Sequence, residues 1–422
     1  MTWFPEGIPE TTNVTKELDY IAYLDQMLSP ENGLQLNTDD LTFIIPLGLD
    51  SYTRLNNVGL TLLWILRNTT AKVKIHWAQD EQFLKTCERE GTFRFPLLNG
   101  EKFDVTADLK KFSGKDIDIM NSSEAHEITR GLMSAFFLER VFNNENWNPC
   151  SGSLEMTAAL SMVNPNRHPN DTLECISAYL DNAKSRVSIY YEDKDIEAPF
   201  HRTRYLNQLL DKVTTKFVCN HDADIIYPFS MTARALGSLR KGLSDFCIPF
   251  GHFSETSGLV KVFVDDIGGA TAHPHNTARS AFNACLTGDF SDLHTRGIIA
   301  GFGAGYGGSV YANTESYKSC GGEIEDLVSW GAEDVERYTR FMKMGYAVSR
   351  VSEGRMYHLE HPRYKDSGKQ NPFFKRNEQV WSSIQKIHPE KLPELMRLSV
   401  KTYGWEIKPG PHYQQLLARF RR

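Results

Sequence analysis

Residues 216–226 read Lys-Phe-Val-Cys-Asn-His-Asp-Ala-Asp-Ile-Ile, an apolar run broken by two carboxylates one residue apart. Phe217, Val218, Ile225 and Ile226 suit a mostly buried strand. Side chains at i and i+2 share one face of a strand, which would crowd Asp222 against Asp224. Like charges that close repel unless a cation or a set of donors neutralises them. The alternative is a turn in which an aspartate caps the next segment. At the carboxyl end of a parallel strand, the pair would lie where open α/β sheets place ligands.

The flanking sequence supports such a sheet. Leu41–Pro46 is a continuous apolar run of the kind buried on both faces of a parallel sheet. A helix is predicted from about 53 to 67, with Leu55, Val58, Leu62 and Ile65 or Leu66 on one face, followed by a strand at 72–77. This βαβ opening has no Gly-x-Gly-x-x-Gly, which disfavours a dinucleotide fold. The α/β alternation resumes with a strand at 186–191 and a helix at 203–213. Between them the pattern loosens around one predicted helix, 123–142, as in an insertion or lid. After residue 371 the chain reads as amphipathic helices with a break near 408–411, a packing appendage rather than a catalytic unit. The expected organisation is a lead-in at 1–37 with a helix around 14–27, and a catalytic domain at 38–370 interrupted by an insertion at about 81–185. A helical extension follows at 371–422.

Bulk properties narrow the function. A net charge of −6 over 422 residues, with no dense Lys/Arg run, argues against a nucleic-acid partner. The seven cysteines are scattered without Cys-x-x-Cys spacing, as expected of buried thiols in a reducing compartment. No basic segment followed by an apolar one marks a leader, and the clean apolar stretch 59–66 is too short to span a bilayer. A cytoplasmic enzyme without a transmembrane segment is the expectation.

Chemistry-bearing residues cluster downstream in Gly305-Tyr-Gly-Gly308, Trp330-Gly-Ala-Glu-Asp334 and His358-Leu-Glu-His361. Upstream stand Phe200-His-Arg202 with Leu206-Asn207, and Ile45-Pro46 with Asp50, Ser51 and Arg54. With the Asp222/Asp224 pair, and in this order, these motifs resemble glycosyltransferases of the GT-A fold. They are most similar to the C-terminal catalytic part of β-1,4-galactosyltransferases and to bacterial chondroitin-polymerase-type enzymes. The resemblance spans about 41–80 and 186–375.

That resemblance implies an α/β fold with a mostly parallel central sheet flanked by helices. It also implies a UDP-sugar donor, a carbohydrate or glycan acceptor, and Mn²⁺ (or Mg²⁺) as cofactor. Asp224 and His361 would hold the metal, with His358 falling where the galactosyltransferases carry a methionine. Asp222, Arg54, Asp50, Phe200, Arg202, Gly307 and Gly308 would meet the donor, and Trp330 and Tyr306 the acceptor. Asp334 would be the base of an inverting transfer, and Glu333 would grip a sugar.

Elementary chemistry is consistent with these roles. A divalent cation neutralises charge that develops on a diphosphate leaving group. A mixed carboxylate and imidazole shell suits Mn²⁺ at least as well as Mg²⁺. Glu333 and Asp334 fall in the first turn of a predicted helix, where the dipole favours ionised carboxylates; an ionised carboxylate is also what a general base requires. On that helix Val335, Tyr338 and Met342 form the apolar face, Gly345 stands near the stop, and Glu336 with Arg340 reads as a surface pair. The His273-Pro-His275 pair reads as a loop.

Three other readings are weaker. A sugar nucleotidyltransferase needs a Gly-rich basic loop after the first strand, which residues 46–54 lack. A non-catalytic sugar-nucleotide or carbohydrate-binding module requires that Asp334 has no catalytic role. A calcium protein would need dense oxygen-ligand spacing, which is absent.

Overall fold

In the computed structural model, strand β1 (Leu41–Leu47) buries all seven of its residues. Its two neighbours explain why: β2 (Lys72–Asp80) and β6 (Phe217–His221) flank it, each parallel to it. The structure describes residues 36–48, 52–80, 94–96, 102–104, 186–194, 198–251, 257–263, 288–299, 305–363 and 368–420, with isolated positions from 277 to 285. Asp50, the helices expected at 14–27 and 123–142, and the His273–His275 pair lie outside the described residues. Within 81–185, β3 (Arg94–Pro96) and β4 (Lys102–Asp104) form an antiparallel ribbon.

The main sheet has the order β12 (Val348–Arg350), β8 (Phe246–Ile248), β11 (Ser309–Asn313), β6, β1, β2 and β5 (Val187–Lys194). It is mostly parallel; β11 alone runs antiparallel to its neighbours, β6 and β8. A second sheet, not anticipated from the sequence, contains β10 (Ile298–Ile299), β9 (Ser257–Val262), β13 (Gly354–Leu359) and β7 (Ile225–Ile226).

This second sheet corrects the reading of residues 216–226. The run is two strands, not one: β6 ends at His221, and β7 begins at Ile225 in the other sheet. Asp222 and Asp224 therefore occupy the turn between sheets and share no strand face.

Helix α1 (Tyr52–Asn68) lies between the sheets, so its burial exceeds one stripe. Leu60, Leu63 and Trp64 are buried along with Val58, Leu62, Ile65 and Leu66. Polar groups tie α1 to the second sheet. Trp64 Nε1 donates to Tyr227 O at 2.6 Å, and Asn57 Nδ2 to Leu359 O at 2.7 Å. Helices α2 (Arg202–Asp211), α3 (Phe229–Arg240), α4 (Ser291–Arg296) and α5 (Thr314–Ser319) complete the layers around the sheets.

Helix α6 (Glu333–Lys343) follows the Trp330 loop as expected, and Tyr338 and Met342 are buried while Val335 is half-buried. Glu336 and Arg340 are not a surface pair. Both are fully buried, 2.7 Å apart, and Arg340 also donates to Cys320 O and Gly322 O. The i,i+4 spacing gave their contact correctly; what covers them comes from distant segments.

The C-terminal residues form α7 (Phe374–Lys386), α8 (Leu392–Ser399) and α9 (Tyr413–Phe420). Helix α7 packs on α6, while Met396 of α8 lies beside Gly321 and Tyr413 of α9 beside Gly345. Lys343 Nζ donates to Gln385 O at 2.5 Å and Ile387 O at 2.8 Å, placing a cation on the carbonyls at the end of α7. Among the described residues, four cysteines are free and buried, and no helix is long and apolar enough to cross a membrane.

Candidate active site

The turn after β6, the glycines before β11 and the start of α6 frame one cleft of about 500 Å³. Its assembly follows from the topology. Because β11 is reversed, its first residues reach the sheet edge where β1 and β6 end. Asp222 N–H donates to Gly308 O at 2.8 Å and joins the acidic turn to the glycine turn. Gly308 has φ +85°, a conformation that favours glycine.

Asp224 is buried and meets two histidines supplied by β13 and the residues after it. His361 Nε2 lies 3.2 Å from Asp224 Oδ2, and His358 Nε2 lies 3.8 Å from Oδ1. One ligand atom from each of the three residues falls within 4.8 Å of the others. The outer ring nitrogens already face partners. His361 Nδ1 donates to Pro362 O at 2.8 Å, and His358 Nδ1 lies 3.2 Å from Glu360 Oε1. A proton on His361 Nδ1 leaves its Nε2 as a ligand atom beside the carboxylate, and His358 Nε2 faces the same carboxylate. Two ring nitrogens and a carboxylate that converge in this way can share a cation, and an outer carboxylate or carbonyl close to each ring is the usual support of a metal-binding imidazole. The donor set therefore fits a divalent metal.

The charges of these residues are strongly linked. Burial opposes ionisation of Asp224, but His358, His361 and Arg54 outweigh it and hold its pKa far below the carboxylate range. Arg54 Nη2 sits 3.1 Å from both ring nitrogens of His361. Burial lowers the pKa of His358, yet Asp224 and Glu360 reverse this and raise it. For Glu360, burial is likewise outweighed by His358, Arg363 and Lys261, and its pKa drops to about 2.

Across the cleft lining, Arg202 joins the acidic turn to α6. It donates to Asp222 at 2.6 Å and stands 3.8 Å from Asp334 and 4.0 Å from Glu333. Its Nη1 is buried without a hydrogen bond. Asp334 is also held from behind: fully buried Arg337 donates to Asp334 Oδ1 at 3.1 Å and grips Glu323 with two further bonds of 2.5 and 3.1 Å. Tyr317 donates its hydroxyl to the same Glu323. Glu333 is buried, and its Oε2 accepts from Gly331 N–H at 2.9 Å. Burial, and then the charge of Asp334, raise its pKa to about 7.

The structure brings into one cleft the expected residues Asp222, Asp224, Arg54, Phe200, Arg202, Tyr306, Gly307, Gly308, Trp330, Glu333, Asp334, His358 and His361. Tyr306 packs beside Tyr338, and Trp330 is 40% exposed. Sequence reasoning missed Glu360, although it stands between the two histidines of a quoted motif. It also missed Glu323 and Arg337, which no local pattern pairs.

Residues 300–362 match the family model described as the N-terminal domain of galactosyltransferase. The match spans the glycine turn, the Trp330–Asp334 segment and both histidines. The chain thus resembles GT-A glycosyltransferases of the galactosyltransferase type, and glycosyl transfer is the class of activity this supports.

Among solved structures, the catalytic domain of Drosophila β1,4-galactosyltransferase 7 in complex with xylobiose is 14% identical. The likeness covers 51% of this chain and 74% of that one, with a TM-score of 0.25. Staphylococcus aureus TarS 1–349 with UDP-GlcNAc is 9% identical over 90% of this chain and 80% of that one, TM-score 0.35. A mannosyltransferase from Pyrobaculum calidifontis with GDP-Man and Mn²⁺ is 12% identical over 90% and 79%, TM-score 0.33. No curated protein matches the chain.

Proposed function

We propose that this protein is a metal-dependent inverting glycosyltransferase. It moves a hexose or N-acetylhexosamine from a UDP-sugar to a glycan or other hydroxyl acceptor. The observation that carries this reading is the opening of two acidic centres into one cleft: Asp224 with its histidines, and Asp334 with Arg202.

Asp224, His358 and His361 would hold Mn²⁺ or Mg²⁺. Bound there, the cation supplies neutralisation of charge growing on the diphosphate. Arg202 and Arg54 offer guanidinium donors to phosphate oxygens, and Asp222 meets the ribose. Asp334 takes the proton of the acceptor hydroxyl as its oxygen attacks the anomeric carbon from the side opposite the diphosphate. That geometry converts an α-linked donor into a β-linked product. Trp330 and Tyr306 present aromatic faces to the acceptor sugar. The catalytic unit is residues 38–370, with 371–422 as its helical extension.

The test is UDP release from a panel of UDP-sugars with Mn²⁺, before and after exhaustive chelation, for wild type and Asp334→Asn. Wild type is expected to turn over only with metal. Asp334→Asn should bind donor but transfer ~10²–10⁴-fold more slowly, the usual contribution of a general base. Full turnover after chelation, or an α-linked product by NMR, overturns the proposal.

A further inference from the structure

The loop before α6 is held in a costly shape by residues of the C-terminal extension. Ser329 (φ +62°), Gly331 (φ +123°) and Ala332 (φ +69°) all occupy the left-handed half of conformational space. For non-glycine residues such backbone is strained and persists only where the surroundings over-determine it.

Helix α7 and its approach supply that restraint. Asn377 is fully buried and binds Val328 as a second backbone would. Its Oδ1 accepts from Val328 N at 3.3 Å, and its Nδ2 donates to Val328 O at 2.8 Å. A primary amide offers donor and acceptor together without charge, as this requires. Asn371 Nδ2 donates to Trp330 O at 2.5 Å. Phe374 stacks on the Trp330 indole with ring centroids 5.7 Å apart and planes 14° from parallel. A β-carbon on Gly331 would stand 3.0 Å from the Phe374 ring, so loop and helix are closely fitted. Trp330 lines the cleft, whereas Asn371, Phe374 and Asn377 do not.

We propose that Asn377, with Phe374, is a positioning residue for acceptor recognition. It fixes residues 328–332 so that Trp330 stands at the cleft as a ready-made platform for a sugar ring. The inference rests on the glycosyltransferase reading and extends it by making the C-terminal extension a determinant of acceptor binding. A platform ordered before binding spares the acceptor the cost of ordering it. Loss of that order therefore weakens acceptor binding more than donor binding.

The experiment compares wild type, Asn377→Ala, Phe374→Ala and Phe374→Tyr by hydrogen exchange over residues 326–334 and by steady-state kinetics. The acceptor probes are aryl β-glycosides of glucose, N-acetylglucosamine and xylose; UDP release into water reports the donor side alone. Asn377→Ala removes two buried neutral hydrogen bonds, so exchange of the Val328 and Gly331 amides should rise about tenfold, and acceptor KM with it. UDP release into water should change far less, and Phe374→Tyr should restore what Phe374→Ala loses. If Asn377→Ala fails to fold, Phe374→Ala gives the same two readouts. A wild type that releases no UDP overturns the glycosyltransferase reading itself. A wild type that does, with loop exchange or acceptor KM unchanged in the variants, overturns the positioning role alone.

Discussion

The carboxylate of Asp334 rests against the α-carbon of Gly307. A β-carbon built on Gly307 would stand 1.8 Å from Asp334 Oδ2 and 2.4 Å from its carboxyl carbon. The glycine turn and the acidic start of α6 can approach this closely only because no side chain separates them. The other carboxylate oxygen is held by Arg337, so Asp334 has little freedom to move aside.

Gly307→Ala tests that contact directly. The Gly307 backbone lies outside the left-handed region, so alanine meets a steric conflict and no torsional one. Asp334 must rotate away, and misplacement of a reacting group by an ångström can cost ~10²-fold in rate. We expect kcat to fall by that order while the thermal midpoint drops only modestly. Unaltered kcat would show that the carboxylate does not act from this position.

The metal site makes a second prediction. Asp224→Ala and His361→Ala should each abolish measurable Mn²⁺ binding in titrations followed by electron paramagnetic resonance. Glu360→Gln should weaken it about tenfold, the lower end of what an outer-shell partner contributes. Equal Mn²⁺ affinity in wild type and Glu360→Gln would remove Glu360 from the support of His358.

Glu333 gives a prediction in pH. Its folded pKa rises from the ordinary 4.5 to about 7, through burial and then the charge of Asp334. Between those values the folded state holds a proton that the unfolded state has released. This contribution to stability is therefore complete below pH 4.5 and is lost as pH rises through about 7. Glu333→Gln should flatten that part of the profile in urea denaturation at pH 5, 6, 7 and 8. A variant curve parallel to wild type would show that Glu333 does not titrate in this range.

Donor choice supplies the fourth. Gly305 lines the cleft ahead of Tyr306; the resemblance to galactosyltransferases implies that this position borders the donor's C2 substituent, and here it carries no side chain. UDP-N-acetylgalactosamine or UDP-N-acetylglucosamine should compete at least equally with UDP-galactose. Gly305→Tyr should shift preference toward the unsubstituted hexose. If wild type uses only unsubstituted hexoses and the variant merely loses activity, the pocket argument is wrong.

Long elements with a strong period were legible in the sequence. The βαβ unit read at 41–46, about 53–67 and 72–77 is found at 41–47, 52–68 and 72–80, and its first strand stood out because double-sided burial demands a continuous apolar run. The lining of the candidate site was legible where motifs were local, as at Trp330–Asp334 and His358–His361. The split between β6 and β7 was not, since a two-residue strand carries no periodicity. Nor was the Glu323–Arg337 pair, because the glutamate sits 14 residues upstream with nothing local to mark its partner. Burial of Glu336 and Arg340 depends on Cys320 and Gly322 folding over them, a tertiary fact that spacing does not encode.

The reversed strand has a consequence for synthesis. β11 lies between β6 and β8, yet it follows both in the chain, and His221 stands opposite Ser309 across 88 residues of sequence. As the polypeptide emerges from the ribosome, β5, β2, β1 and β6 can pair first, leaving β6 with one bare edge. The β8 strand arrives earlier than β11 but has no register with β6 in the finished sheet. An apolar strand with unpaired amides invites pairing with other chains. The nascent protein must therefore keep its most central edge from aggregating until residue 313 has left the exit tunnel, and any fragment that ends between β6 and β11 retains that liability.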